Sequence, residues 1–224
     1  MGFVRLVMEQ KITAISFKEE WLDRSVVIYP SGLGKVRDLL PLLPIIKRLN
    51  IKFFLDSAVA QSYTDVQILS SLGVYSGIVI NEKTDWERLT DLMYYALCGR
   101  VTHAPIEPFQ CVYDMYRRNT LVDYGAVFGE GSDFFSTNNP KETQNLQTET
   151  SDKSWQRFFY EPTACAACAG WRICMGKYEN LKDKTGCQTF TTELLNLIET
   201  LKFKKSLTII IIYDHNNIQG CRKM

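Results

Sequence analysis

Residues 51–80 read I-K-F-F-L-D-S-A-V-A-Q-S-Y-T-D-V-Q-I-L-S-S-L-G-V-Y-S-G-I-V-I. Two short apolar runs, Ile51 to Leu55 and Ser76 to Ile80, read as buried strands. Between them, a segment from roughly Thr64 to Leu72 reads as a helix, with Gly73 as its stop. A strand, a helix and a second strand in so short a span imply a parallel pair joined by a helical crossover.

The same unit recurs outward from this stretch. Ser25 to Tyr29 is β-branched and apolar, and Val101 to Ile106 extends the series to four strands. Their starts fall roughly 25 residues apart, the length of one strand, one helix and two short loops. Thr84 and Glu87 form a capping box, T-D-W-E. Trp86, Leu89, Leu92, Met93, Ala96 and Leu97 then share one helical face, and Gly99 follows where a left-handed residue is wanted. An earlier helix carries Pro41 and Pro44 and ends near Asn50; Pro44 either kinks it or marks its first turn. Phe109 to Arg118 reads as a further helix.

Right-handed crossovers leave two topologies, part of a barrel or an open doubly wound sheet. The expected fold is α/β, a partial parallel (β/α) barrel over residues 1–128 with a small cysteine-rich C-terminal module. No glycine-rich dinucleotide fingerprint follows a strand, since G-L-G at Gly32 to Gly34 lacks the remaining glycine. Residues 129–154 turn polar and read as a linker or mobile loop. The cysteine module spans 155–201, closed by a helix from Thr192 to Leu201 with Leu194, Leu195, Ile198 and Leu201 on one stripe. Residues 202–224 form a tail of uncertain role, containing a run that can make a last strand.

The bulk properties exclude several classes. The chain has 224 residues and a net charge of +1, which gives no electrostatic case for nucleic acid or an acidic membrane. Leu207 to Tyr213 is too short to span a bilayer, and no signal peptide is visible, so a cytoplasmic chain is expected. In that compartment, clustered cysteines are more often metal ligands or catalytic thiols than disulfides, and seven cysteines cannot all pair.

Four of the seven lie in E-P-T-A-C-A-A-C-A-G-W-R-I-C-M-G-K-Y and K-T-G-C-Q-T-F, as Cys165, Cys168, Cys174 and Cys187. The two-residue gap lets two sulfurs reach one centre from a single turn, and the longer gaps let the chain wrap around it. Four thiolates suit one [4Fe–4S] cluster or a tetrahedral zinc ion. Gly170, Gly176 and Gly186 beside the ligands, small alanines between them, and Arg172 and Lys177 to offset thiolate charge favour the cluster. A zinc ribbon more often shows two close cysteine pairs, which Cys174 and Cys187 are not. Cys98 and Cys111 lie on helices and read as core or structural thiols.

At these residues the sequence resembles the SPASM domain found behind radical S-adenosylmethionine barrels, whose pattern is C-x2-C-x5-C-x3-C with a later cysteine. Cys165, Cys168 and Cys174 match the first three places and Cys187 the later one; Tyr178 stands where the x3-C cysteine would be. The resemblance implies that these four hold the family's second auxiliary cluster and that the first is lost, since Cys98 and Cys111 upstream lack the expected spacing. The C-x3-C-x2-C motif that binds S-adenosylmethionine is absent from the sequence. The implied function is therefore an iron–sulfur-binding pseudo-radical-SAM protein that does not cleave S-adenosylmethionine. It would assist maturation of a small ribosomal peptide, with that peptide or a partner maturation enzyme as its partner. The alternatives are the C-terminal part of a radical peptide-modifying or sulfatase-maturing enzyme, and a zinc-binding structural interaction module.

Parallel barrels gather chemistry at the C-terminal ends of their strands. Asp56, Asn81, Glu82, His103 and Glu107 are expected there, as candidates for binding a substrate peptide without catalysis. The two prolines of T-H-A-P-I-E-P hold His103 and Glu107 in a rigid segment, as an acid–base pair or as a polar rim. Y-D-M-Y-R-R, Tyr113 to Arg118, reads as one packed and one solvated helix face rather than a nucleic-acid surface.

Overall fold

A computed structural model describes residues 2–22, 24–99, 103–118, 165, 167–170 and 185–202. The linker at 129–154, Cys174, Tyr178 and the tail from 203 lie outside the described residues.

Among the described residues, five strands form one parallel sheet: β1 (Gly2–Val7), β2 (Arg24–Tyr29), β3 (Lys52–Asp56), β4 (Ser76–Val79) and β5 (Ile106–Glu107). Their order across the sheet is β1-β2-β3-β4-β5, the order of the chain. Nothing reverses, so the described strands have no switch point of the doubly wound kind. The sheet is open, with β1 and β5 at its edges among the described residues.

The first strand is missing from the four-strand expectation. Lys11 breaks the apolar pattern over residues 1–17, but the strand ends before it, and Gly2 to Val7 pair in register with Arg24 to Tyr29. The expected strand over Val101 to Ile106 contracts to Ile106 and Glu107. His103 to Pro105 form a loop, and residues 101 and 102 lie outside the described residues.

The helices are α1 (Val36–Leu39), α2 (Leu43–Arg48), α3 (Ala60–Ser71), α4 (Trp86–Cys98), α5 (Phe109–Arg118) and α6 (185–202). Pro44 sits in the first turn of α2, where its missing N–H costs no helical bond. Gly73 has φ of +75°, the left-handed stop expected after α3. Gly99 does not, with φ of −55° and ψ of 134°.

The cap of α4 is also shifted from expectation. Asp85, not Thr84, is the N-cap, and its carboxylate accepts the N–H of Arg88 at 3.1 Å. A carboxylate at this place meets both the orphan amide and the positive end of the helix. Leu89, Leu92, Met93 and Ala96 are buried on the stripe the spacing predicts, with Trp86 and Leu97 packed beside them. Cys98 is exposed rather than in the core.

Strand alternation sorts the sheet into two faces. Ser76 Oγ donates to Val66 O of α3, so Ser76 and Ile78 face the helices. Gly77 and Val79 face the other way. Tyr29, Phe54, Gly77 and Glu107 form one row across that second face, by register and by the stacking of Tyr29 on Phe54 at 5.8 Å. Both faces are nearly dry: Phe53 and Ile78 are buried on one, Phe54 and Val79 on the other. Burial on both sides is why these strands read as continuous apolar runs rather than as alternating ones.

Helix α6 joins the same core, with Cys187, Phe190, Leu194 and Ile198 buried in it. The Phe190 ring lies 5.8 Å from Trp86 and 6.2 Å from Phe109, the first residues of α4 and α5. Further along, Glu193 accepts a hydrogen bond from Tyr94, and Lys202 stands over the ring of Tyr116 at 5.4 Å. The described residues of α6 therefore run alongside α4 and α5 in their direction, with Phe190 toward the C-terminal end of the strands.

Candidate functional site

Two groups of residues meet at or near the C-terminal ends of the strands, and a third lies at the opposite end. The first group is the loop rim. Asp56, at the end of β3, accepts from Ala58 N at 2.8 Å and from the side-chain amide of Asn81. Asn81 Oδ1 in turn accepts from Lys83 N at 2.8 Å. These are turn-forming bonds of Asp and Asn to the backbone two residues on. Ser57 and Thr84 share a buried hydroxyl contact of 2.7 Å, and the Tyr63 hydroxyl links Ser57 O to the backbone of Asp85. Burial pushes the Tyr63 phenol up to about 12, so it stays protonated as this brace. Glu82 is exposed on the same rim. The expected candidates Asp56, Asn81 and Glu82 are thus together, and two of them are engaged in building the rim.

His103 and Glu107 are not an acid–base pair on this rim. His103 precedes β5, so it lies at the N-terminal end of the sheet, the opposite end from Asp56. Its ring stacks on Tyr95 at 5.1 Å, and Nδ1 lies 3.2 Å from Ser70 Oγ and 3.0 Å from Ala104 O. That is the environment of a packed, hydrogen-bonded histidine. Glu107 lies within β5 and is only 5% exposed. It accepts from the Tyr75 hydroxyl and, through Oε2, from Cys111 N at 3.1 Å. Desolvation raises its pKa, against the lowering effect of Tyr75, the Cys111 amide and Lys52. Burial likewise pushes the Cys111 thiol up to about 12, in keeping with the structural role expected of it. Tyr75 and Lys52 gave no signal in the sequence, because each lies more than 30 residues from Glu107 and only the sheet joins them.

The cysteine group is at the start of α6. Cys168 N donates to Cys165 O at 3.1 Å, closing a tight turn. Gly170 N donates to Cys168 Sγ at 3.3 Å. An amide aimed at a sulfur is one way a protein tunes a bound metal centre. Cys187 is buried in α6, near the first of its described residues. Cys168 Sγ stands 3.9 Å from Thr191 Oγ1, and Thr191 Oγ1 donates to Cys187 O at 2.9 Å, so one threonine spans both cysteine segments. A Cβ on Gly170 would come within 2.6 Å of Thr191, which explains a glycine at that place.

Among the described residues, no three His, Cys, Asp or Glu side chains stand together as a metal-binding group. Cys174 lies outside them. What the described residues supply is a two-cysteine turn with an amide-to-sulfur bond, and a helix that brings a third cysteine's turn beside it. That donor set suits thiolate-loving iron or zinc. Among the described residues no helix is long and apolar enough to cross a membrane. Comparison with known proteins finds no matching family model, no matching curated protein and no matching solved structure.

Proposed function

We propose that the chain is an iron–sulfur-binding protein of the pseudo-radical-SAM type, an arc of a (β/α) barrel carrying a SPASM-like cysteine site. It assists maturation of a small peptide and does not cleave S-adenosylmethionine. The observation that carries this reading is the Cys165–Cys168 turn with its Gly170 amide on sulfur, lying against α6 one turn from Cys187. Strand order that follows the chain supports the barrel arc, because right-handed crossovers then put every helix on one face.

Cys165, Cys168, Cys174 and Cys187 would hold the cluster. A bound cluster would supply redox capacity and folding energy to the segment between Cys165 and Cys187. With four protein thiolates there is no open iron for S-adenosylmethionine. The contact of Phe190 with Trp86, which follows the Thr84–Asp85 loop, supports a cysteine site near the rim of Asp56 and Asn81, where a peptide would be presented to a partner enzyme. The test is iron, sulfide and zinc analysis of protein made and purified without oxygen. A brown protein with about four iron and four sulfide per chain supports the reading. A colourless protein with one zinc replaces it with a structural zinc module, and a metal-free protein removes both.

A further inference from the structure

Thr191 is 3% exposed, and its side chain stands between the two cysteine segments. A threonine hydroxyl has one proton to give and two lone pairs to offer. Three acceptors lie within its reach. Cys187 O is at 2.9 Å and Gln188 O at 3.1 Å, both in the preceding turn of α6. Cys168 Sγ, on the other segment, is at 3.9 Å. Gly170 N donates to that same sulfur at 3.3 Å. Two groups able to donate thus converge on one sulfur, one from the cysteine turn and one from the helix.

The approach of Thr191 depends on Gly170. A Cβ at position 170 would meet Oγ1 and Cβ of Thr191 at 2.6 Å and Cγ2 at 2.8 Å. A side chain there would push the hydroxyl away from the sulfur.

We propose that the Thr191 hydroxyl is a second hydrogen-bond donor to Cys168 when that sulfur ligates as a thiolate. Thr191 is thereby a positioning residue that tunes the metal centre. The inference rests on the reading of Cys168 as a ligand. The two carbonyls hold the hydroxyl proton only lightly. An α-helix already gives Cys187 O and Gln188 O the amides of Thr191 and Thr192, so turning the hydroxyl away leaves neither carbonyl bare. A thiolate is a charged acceptor, and bonds to charged acceptors are roughly twice as strong as neutral ones. Hydrogen bonds to the ligating sulfurs help to set the reduction potential of an iron–sulfur cluster. Reduction adds negative charge to the metal and its sulfurs, and a donor proton favours the more negative form. The hydroxyl therefore raises the potential.

The test uses the full chain purified without oxygen, unmodified and as Thr191→Val, which keeps the branched shape and removes the hydroxyl. Iron, sulfide and zinc are measured first. With a cluster bound, Thr191→Val should keep its iron and show a reduction potential more negative than that of the unmodified chain. Thr191→Ser, which keeps the hydroxyl, should return the potential toward the unmodified value. With zinc bound, the readout is the rate of zinc loss to a chelator. That rate should be about tenfold faster in Thr191→Val, the weight of one hydrogen bond to a charged group, and unchanged in Thr191→Ser. Thr191→Ala serves if Thr191→Val does not fold. Equal values in Thr191→Val and the unmodified chain overturn the role of Thr191 and leave the metal site standing. A shift that Thr191→Ser does not reverse assigns the effect to packing and also overturns it. A metal-free protein, or one that stays loaded in Cys168→Ser, overturns the inference together with its premise.

Discussion

The ring of Phe190 packs 5.8 Å from the ring of Trp86, across the start of two helices separated by about a hundred residues of chain. This contact seats α6, and with it the turn that carries Cys187, on the start of α4. Phe190→Ala removes a side chain that is 4% exposed and touches both Trp86 and Phe109. The expected cost is about 3–5 kcal/mol in denaturant unfolding. Metal content should fall with it, since the cysteine turn loses its seat. Tyr94→Phe, which removes only an exposed hydroxyl bond to Glu193, should leave both unchanged.

Ligand assignment is tested by a pair of cysteine variants. Cys168→Ser should release the metal and loosen 165–187, read as lost iron or zinc and as new protease cleavage there. Cys98 is exposed at the end of α4, and Cys98→Ser should leave metal content intact. Loss of metal in Cys98→Ser with retention in Cys168→Ser would overturn the four-cysteine site.

Gly170→Ala probes the turn without touching a sulfur. The new Cβ would stand 2.6 Å from Thr191, too close for any real contact, so the turn must move away from α6. The movement should cost about 1–3 kcal/mol and weaken metal retention in a chelator challenge. Thr191→Ser removes the methyl that the Cβ meets at 2.8 Å but leaves its hydroxyl and Cβ at 2.6 Å, so it should rescue Gly170→Ala only in part.

The start of α4 gives a sharper test of a local assignment. Asp85→Ala removes the acceptor for Arg88 N and should cost about 1 kcal/mol in thermal or denaturant unfolding. Glu87→Gln should cost less, because the expected T-D-W-E box is not the cap that forms. Equal losses would restore Thr84 and Glu87 as the capping pair.

The strands β2, β3 and β4, the helix α5 and the stripe of α4 were legible because each is a local pattern of apolar spacing, and burial on both faces leaves little choice of structure. The stop at Gly73 was legible for a similar reason, since a left-handed residue favours glycine wherever it occurs. β1 was not, because its six residues carry no flanking helix pattern and owe their conformation to hydrogen bonds with β2. The cap at Asp85 was missed by one residue, as Thr84 is drawn inward by Ser57 from a different loop.

By itself the sequence determined the α/β class, the parallel sheet and the cysteine spacing that allows four sulfurs one centre. Only the tertiary structure decided which polar groups meet. It sent His103 to the far end of the sheet, buried Glu107 between Tyr75 and α5, and set Thr191 against both cysteine segments. The reason is physical: spacing along the chain encodes which face a residue takes, whereas hydrogen-bond partners 30 to 100 residues apart are chosen by how the faces pack.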